Sequence, residues 1–201
     1  MASKMQMHNL FPTPVGCWVY GEDIQPFREI TQTYEPMESG QGNRWADHDV
    51  LSYPAFEPLR KWIDAALQEY YQAVFQPVNH EGQEIFITES WVNFANSEES
   101  HQYHNHTNSI FSGVFYLEGN DAIEFMSPKP DMQVAPEIEH FNEWNASTWW
   151  LPAVAAHMYI WPSWLVHGVP TAPREEERIS IAFNTFLKGT LSTKPSTQLT
   201  I

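Results

Sequence analysis

The chain has 201 residues and 42% hydrophobic content, enough to bury one core, so a single unit over residues 1–201 is expected, with 189–201 a peripheral tail rich in Thr and Ser. Ten basic against 25 acidic residues leave a formal charge of -15, which disfavours nucleic acid and anionic membranes as partners. Cys17 is the only cysteine, so disulfides within the chain and thiolate metal clusters are excluded, and any bound metal must rest on His, Asp or Glu. No run of about 18 apolar residues offers a membrane span, and Met1 to Asn9 lacks the apolar stretch of a signal peptide, so the expected location is the cytoplasm.

In chain order, the first strong periodic signal lies between Pro54 and Phe75. There Leu59, Trp62, Ile63, Ala66, Leu67, Tyr70, Tyr71 and Val74 recur at helical spacing, predicting a helix with one face packed on something larger. Short stretches rich in aromatic and β-branched residues follow. They predict strands over Ile85 to Phe94, Ser109 to Glu118, Ala122 to Met126, Thr148 to Leu151, His157 to Trp161 and Arg178 to Leu187. Pro128, Pro130 and Pro136 make Ser127 to Asn145 a long loop, of the kind that often serves as a lid or binding element. Several short strands after one long helix predict a mainly β fold, a jelly roll with a helical buttress.

The chemistry concentrates in two places. His101, His104 and His106 fall within six residues, just before the strand that begins at Ser109. In an extended segment, residues two apart point the same way, so His104 and His106 can face one ion while Asn105 faces away. Taken alone, this His-x-His pair reads equally well as solvated loop histidines. Trp161-Pro-Ser-Trp-Leu-Val-His167-Gly-Val then offers a distant third ligand, and Arg178-Ile-Ser-Ile-Ala-Phe-Asn184 follows it. A strand from Arg178 puts Arg178, Ser180, Ala182 and Asn184 on one face and Ile179, Ile181 and Phe183 on the other. The polar face either meets water or plants Arg178 inside a barrel, where its planar fork can hold a carboxylate. His167 and Arg178 are eleven residues apart, which suits a ligand and an anchor on successive strands, one short dicarboxylic acid apart.

These segments, together with Leu10-Phe11-Pro12-Thr13-Pro14, Trp91-Val-Asn93 and Ser112-Gly-Val-Phe-Tyr-Leu117, resemble the 2-oxoglutarate and iron(II)-dependent oxygenase superfamily, and within it a bacterial and phage branch. The resemblance implies a cupin-like double-stranded β-helix with Fe(II), 2-oxoglutarate and O2, with iron held by His104 and His167 and the far carboxylate of 2-oxoglutarate held by Arg178 and Ser180. The superfamily's third ligand is an Asp or Glu two residues after the first histidine, completing a facial triad. Here His106 stands there, so either it is a ligand in a three-histidine site or iron has two protein ligands. The run His104-Asn-His-Thr107-Asn108 also looks like the His-x-Gly-Pro-Thr-Asn segment of aspartyl/asparaginyl β-hydroxylases, and that likeness suggests Asn93 and Ser112 as lining of the 2-oxoglutarate pocket. The implied activity is hydroxylation of a protein side chain or small molecule; a metal-binding cupin-like module without activity is the alternative. His101, His140 and His157 are expected at the surface or in structural roles, Trp149, Trp150, Trp161 and Trp164 in packing, Cys17 as a buried small hydrophobe, and Glu175 to Glu177 as a solvated face.

Overall fold

The computed structural model describes residues 5–77, 83–119, 121–129, 136–173, 175–192 and 194–201. In chain order the elements are β1 (Gly16–Val19), α1 (Gln25–Thr31), β2 (Met37–Glu38), β3 (Arg44–His48), α2 (Glu57–Phe75), β4 (Glu84–Ala95), β5 (His101–His104) and β6 (Phe111–Glu118). There follow β7 (Ala122–Met126), β8 (Thr148–Pro152), β9 (His157–Pro162), β10 (His167–Val169), β11 (Arg178–Lys188), β12 (Thr190–Leu191) and β13 (Leu199–Thr200). A seven-stranded sheet runs β1-β9-β6-β11-β4-β3-β2, and a four-stranded sheet runs β5-β10-β7-β8. This is the expected jelly roll. No described helix is long and apolar enough to cross a membrane.

Period-two alternation divides the interior into two compartments. On β6, Phe111, Phe115 and Leu117 join the buried α2 stripe of Leu59, Ile63, Ala66, Leu67, Tyr70 and Tyr71 in one apolar core. The intervening Val114 and Tyr116 point the other way, where they meet Ile123, Phe125, Tyr159, Trp161 and Leu165 between the sheets. On β11, Ile179, Ile181 and Phe183 take the helix side, while Arg178, Ser180 and Ala182 line the cavity on the opposite side. A register shift between Asn184 and Thr185 interrupts the pairing of β11 with β4, which resumes at Thr185 opposite Ile87 and runs to Lys188 opposite Glu84, and such shifts locally re-aim side chains.

Several elements differ from the sequence reading. Helix α2 starts at Glu57, after two 3-10 turns at Val50–Ser52 and Pro54–Phe56, because Pro54 and Pro58 suit helix starts rather than interiors. Strands β1, β2, β3, β5 and β10, each of two to five residues, are not predicted from the sequence. The tail from Gly189 pairs through β12, which is half-buried, and β13, which is exposed, into a two-stranded ladder. Residues 130–135 of the expected long loop lie outside the described residues. Cys17 is exposed, because β1 is the edge strand of its sheet. Glu177 is paired with Arg44, which also holds Glu99 at 2.7 Å, so the acidic run is not solvated throughout.

Gly113 and Phe183 face each other across β6 and β11. A Cβ at position 113 would lie 2.2 Å from the ring of Phe183, and that ring is fully buried. Gly113→Ala is expected to cost about 1–3 kcal/mol through forced displacement of the ring. The loss should appear as a lower urea midpoint at unchanged slope.

Candidate metal centre

Strands β5 and β10 pair antiparallel with His104 directly opposite His167, so adjacent strands present both side chains on the same face. The chain then leaves β5, and the His106 backbone N–H donates to the Ser163 carbonyl at 3.0 Å. That bond turns His106 back toward the other two. Ligand nitrogens of His104, His106 and His167 all lie within 4.8 Å of one another, and Nε2 of His106 is 3.4 Å from Nε2 of His167. Trp161 packs edge-on against His167 at 4.7 Å, and Trp91 lies 6.0 Å from His106.

Backbone carbonyls set the protons on two of these rings. The Nδ1 of His104 lies 2.7 Å from the Gln102 carbonyl, and that of His167 lies 3.0 Å from the Leu165 carbonyl. A carbonyl can only accept, so each Nδ1 carries the proton and each Nε2 keeps its lone pair for a metal. Burial, followed by repulsion from neighbouring imidazoles, lowers the pKa of His106 to about 4 and that of His167 to about 3. Burial also lowers the pKa of His104. The site therefore offers neutral nitrogen donors at ordinary pH, which suit a divalent transition metal.

Behind the histidines lies a cavity lined by Asn93, Ser112, Trp161, Arg178 and Ser180, among others. The guanidinium of Arg178 is buried, with Nη1 3.4 Å from Asp121 Oδ2 and Nη2 3.3 Å from the Tyr116 hydroxyl. Asp121, whose side chain is 4% exposed, is a partner that the sequence reading missed, because the loop before β7 carries no motif. Asn93 Oδ1 accepts from Asn43 and from the Trp91 indole at 3.0 and 3.2 Å, which leaves its amide hydrogens for the cavity. The Ser112 hydroxyl is engaged by Asn184 Oδ1 at 2.7 Å and Ser163 at 2.9 Å. It therefore holds its neighbours rather than waiting for a ligand. The indole N–H of Trp161 is buried without a hydrogen-bond partner, a costly state unless something in the cavity accepts it.

His101, expected at the surface or in a structural role, stacks on His104 at 4.4 Å and lines the same cavity. The signal was its place in the histidine cluster. His140 is exposed, in keeping with its expected surface position, whereas His157 at the start of β9 is half-buried. A second cavity, of about 460 Å³, adjoins the metal row: Phe125 pairs with His167 in register, and Trp149 with Phe125. Leu10, Phe11, Trp144 and Leu165 contribute to its walls.

The buried and partly buried histidines of the cluster link acid to stability. In the unfolded chain each binds a proton near pH 6.5, but in the folded protein His101 and His167 bind one only near 3 and His106 near 4. The unfolded state thus holds more protons between those values, so stability falls as pH drops through that window. Metal-free protein should melt at steadily lower temperature from pH 7 to pH 5, above the range where most carboxylates titrate. His101→Gln should flatten that fall, and a constant melting temperature would contradict the account.

Comparison with known proteins agrees with the geometry. Residues 89–184 match the sequence family described as putative 2OG-Fe(II) oxygenase. No curated protein sequence matches the chain. Among solved structures, a prolyl-4-hydroxylase from Pseudomonas putida superimposes with a TM-score of 0.56 at 12% identity, covering 86% of this chain and 92% of its own. HygX from Streptomyces hygroscopicus, crystallised with nickel, 2-oxoglutarate and hygromycin B, gives 0.60 at 12% identity, over 86% and 82%. The non-heme alpha ketoglutarate dependent epimerase SnoN from nogalamycin biosynthesis gives 0.57 at 15% identity, over 87% and 78%. Residues 89–184, which include the histidine cluster and Arg178, thus match the 2OG-Fe(II) oxygenase family in sequence, and the chain around them carries the fold of such enzymes.

Proposed function

We propose that the protein is a non-haem iron(II), 2-oxoglutarate-dependent dioxygenase acting as a hydroxylase on a protein side chain or small molecule. The observation that carries this is the arrangement of the cavity: three histidine nitrogens converge at one part of it, and a buried arginine lines it elsewhere. In this reading His104 and His167 hold the metal through Nε2, and His106 completes the cluster. Bound iron(II) with 2-oxoglutarate and O2 would supply oxidative decarboxylation, converting a substrate C–H to C–OH as the cosubstrate leaves as succinate and CO2.

The chain's own residues have narrower tasks. Arg178 holds the far carboxylate of 2-oxoglutarate, with Ser180 beside it on the same face of β11. Asn93 offers amide hydrogens to the cosubstrate, and the unpartnered indole N–H of Trp161 can serve an oxygen of either ligand. Ser112 keeps Asn184 in place.

A metal-binding cupin-like module without oxygenase activity is favoured by one observation, the resident Asp121 that already neutralises Arg178. Cosubstrate binding separates the two readings. Losing one partner of a buried charge pair commonly weakens binding by about 2–5 kcal/mol, roughly 30-fold to several thousand-fold. Arg178→Met should lose that much 2-oxoglutarate affinity, measured anaerobically by the iron-to-ketoacid absorbance, whereas binding of pyruvate should barely change. Arg178→Lys, which keeps a cation beside Asp121 but lacks the planar fork, should also bind 2-oxoglutarate poorly while remaining folded. Parent-like 2-oxoglutarate affinity in both variants would remove the anchor and leave the cupin reading.

The metal assignment has its own test. His104→Ala and His167→Ala should each abolish iron binding in an anaerobic titration, with His106→Ala weakening it less. Full occupancy in either of the first two would overturn the assignment.

A further inference from the structure

Asn184 links the histidine cluster to a charge on the neighbouring strand. It lies opposite Glu89 on β4 and opposite Ser112 on β6, so three polar side chains stand side by side in one row. Its amide nitrogen is 2.7 Å from Glu89 Oε1 and 3.1 Å from His106 Nδ1. Its amide oxygen is 2.7 Å from the Ser112 hydroxyl.

Only one orientation of this amide satisfies all three partners. An ionised carboxylate can only accept, so the group facing Glu89 must be the NH2; the reverse would set two oxygens against each other at 2.7 Å. Ser112 agrees, since its hydroxyl can donate to the oxygen. The second amide hydrogen then points at His106 Nδ1, which must accept it. A neutral imidazole has one proton, and in His106 that proton sits on Nε2, the atom turned toward His167. His104 and His167 are the opposite tautomer, with Nδ1 protonated by their bonds to backbone carbonyls. Two lone pairs and one N–H thus converge on the same point.

We propose that His106 is a hydrogen-bond donor at the metal centre rather than its third ligand, and that Glu89, acting through Asn184, is the positioning residue that holds it in this tautomer. The inference rests on the reading of the cluster as a metal site. The metal then has two protein ligands, His104 and His167. The position that the usual triad carboxylate would fill is left to an oxygen ligand or small anion from solution, which accepts the His106 Nε2–H. Glu89 is exposed, so its effect travels by hydrogen bonds and not by packing.

The test uses the full chain labelled with 15N at histidine, read by NMR without metal and with Zn(II), a redox-silent probe. Expected in both states is a His106 with Nδ1 unprotonated and Nε2 protonated, while Zn(II) shifts Nε2 of His104 and His167. In Glu89→Gln the new amide can donate to Asn184 Oδ1, so Asn184 is free to turn and His106 can place its proton on Nδ1. That variant should show the changed His106 resonances and, with a third lone pair facing the metal, should bind Zn(II) more tightly than the parent in competition with a chelator. A Zn(II)-shifted His106 Nε2 in the parent would overturn the donor role while leaving the metal site intact. Parent-like His106 resonances in Glu89→Gln would overturn the part assigned to Glu89. Absence of Zn(II) shifts at His104 and His167 would remove the metal reading and this proposal with it, a result separable from the others because the metal-free tautomers are read first.

Discussion

Strands β6 and β11 lie in the middle of the seven-stranded sheet with both faces covered, by α2 on one side and by the four-stranded sheet on the other. A strand buried on both faces has no side on which polar groups can be left to water, so its alternation must sort residues between two interiors of different chemistry. The helix-side interior is wholly apolar along Phe111, Phe115, Ile179, Ile181 and Phe183. The other admits Ser112, Arg178, Ser180 and Asn184, and every one of these polar groups then needs a partner or a ligand. Asp121, Tyr116, Ser163 and Glu89 supply some of those partners. The remainder, among them the Trp161 N–H, define where a ligand would relieve the cost.

That constraint also explains which parts were legible in the sequence. The α2 stripe and the two faces of β11 could be read directly, because each is a long run at a single period. The fold class followed from the one helix and the short strands after it, whereas the two faces of β11 left open whether Arg178 met water or the barrel interior, and only the family resemblance implied the interior. His104 and His167 were legible as ligand candidates, but their pairing was not. It depends on β5 and β10, four and three residues long, which are too short to show alternation and are fixed only by their neighbours.

Other features were illegible because the interaction that creates them is non-local. Asp121 reaches Arg178 from a loop 57 residues away in sequence, and Asn184 receives its orientation from Glu89, 95 residues away. The last position of the β11 pattern looked like one more inward polar residue. Its role depends on which residues stand opposite it on two neighbouring strands, and no single strand states that. The walls of the second cavity, from Leu10, Phe11, Trp144 and Trp149, are likewise assembled from segments without periodicity.

The missing triad carboxylate can be placed in the same terms. A carboxylate at position 106 would give the metal an anionic ligand in a buried, poorly solvated cluster. In this chain Glu89, which is exposed, reaches the cluster through one amide. A charge on an exposed residue keeps much of its hydration and is screened by solvent, so it supplies little field at the metal. What it can supply is direction: its hydrogen bond favours one orientation of the Asn184 amide and, through it, one position for the proton of an imidazole. On the proposed reading, histidine in place of a carboxylate changes the kind of control exerted on the site, from charge at the metal to hydrogen-bond polarity around it. The row Glu89–Asn184–Ser112 is the hydrogen-bonded path through which such control would reach His106.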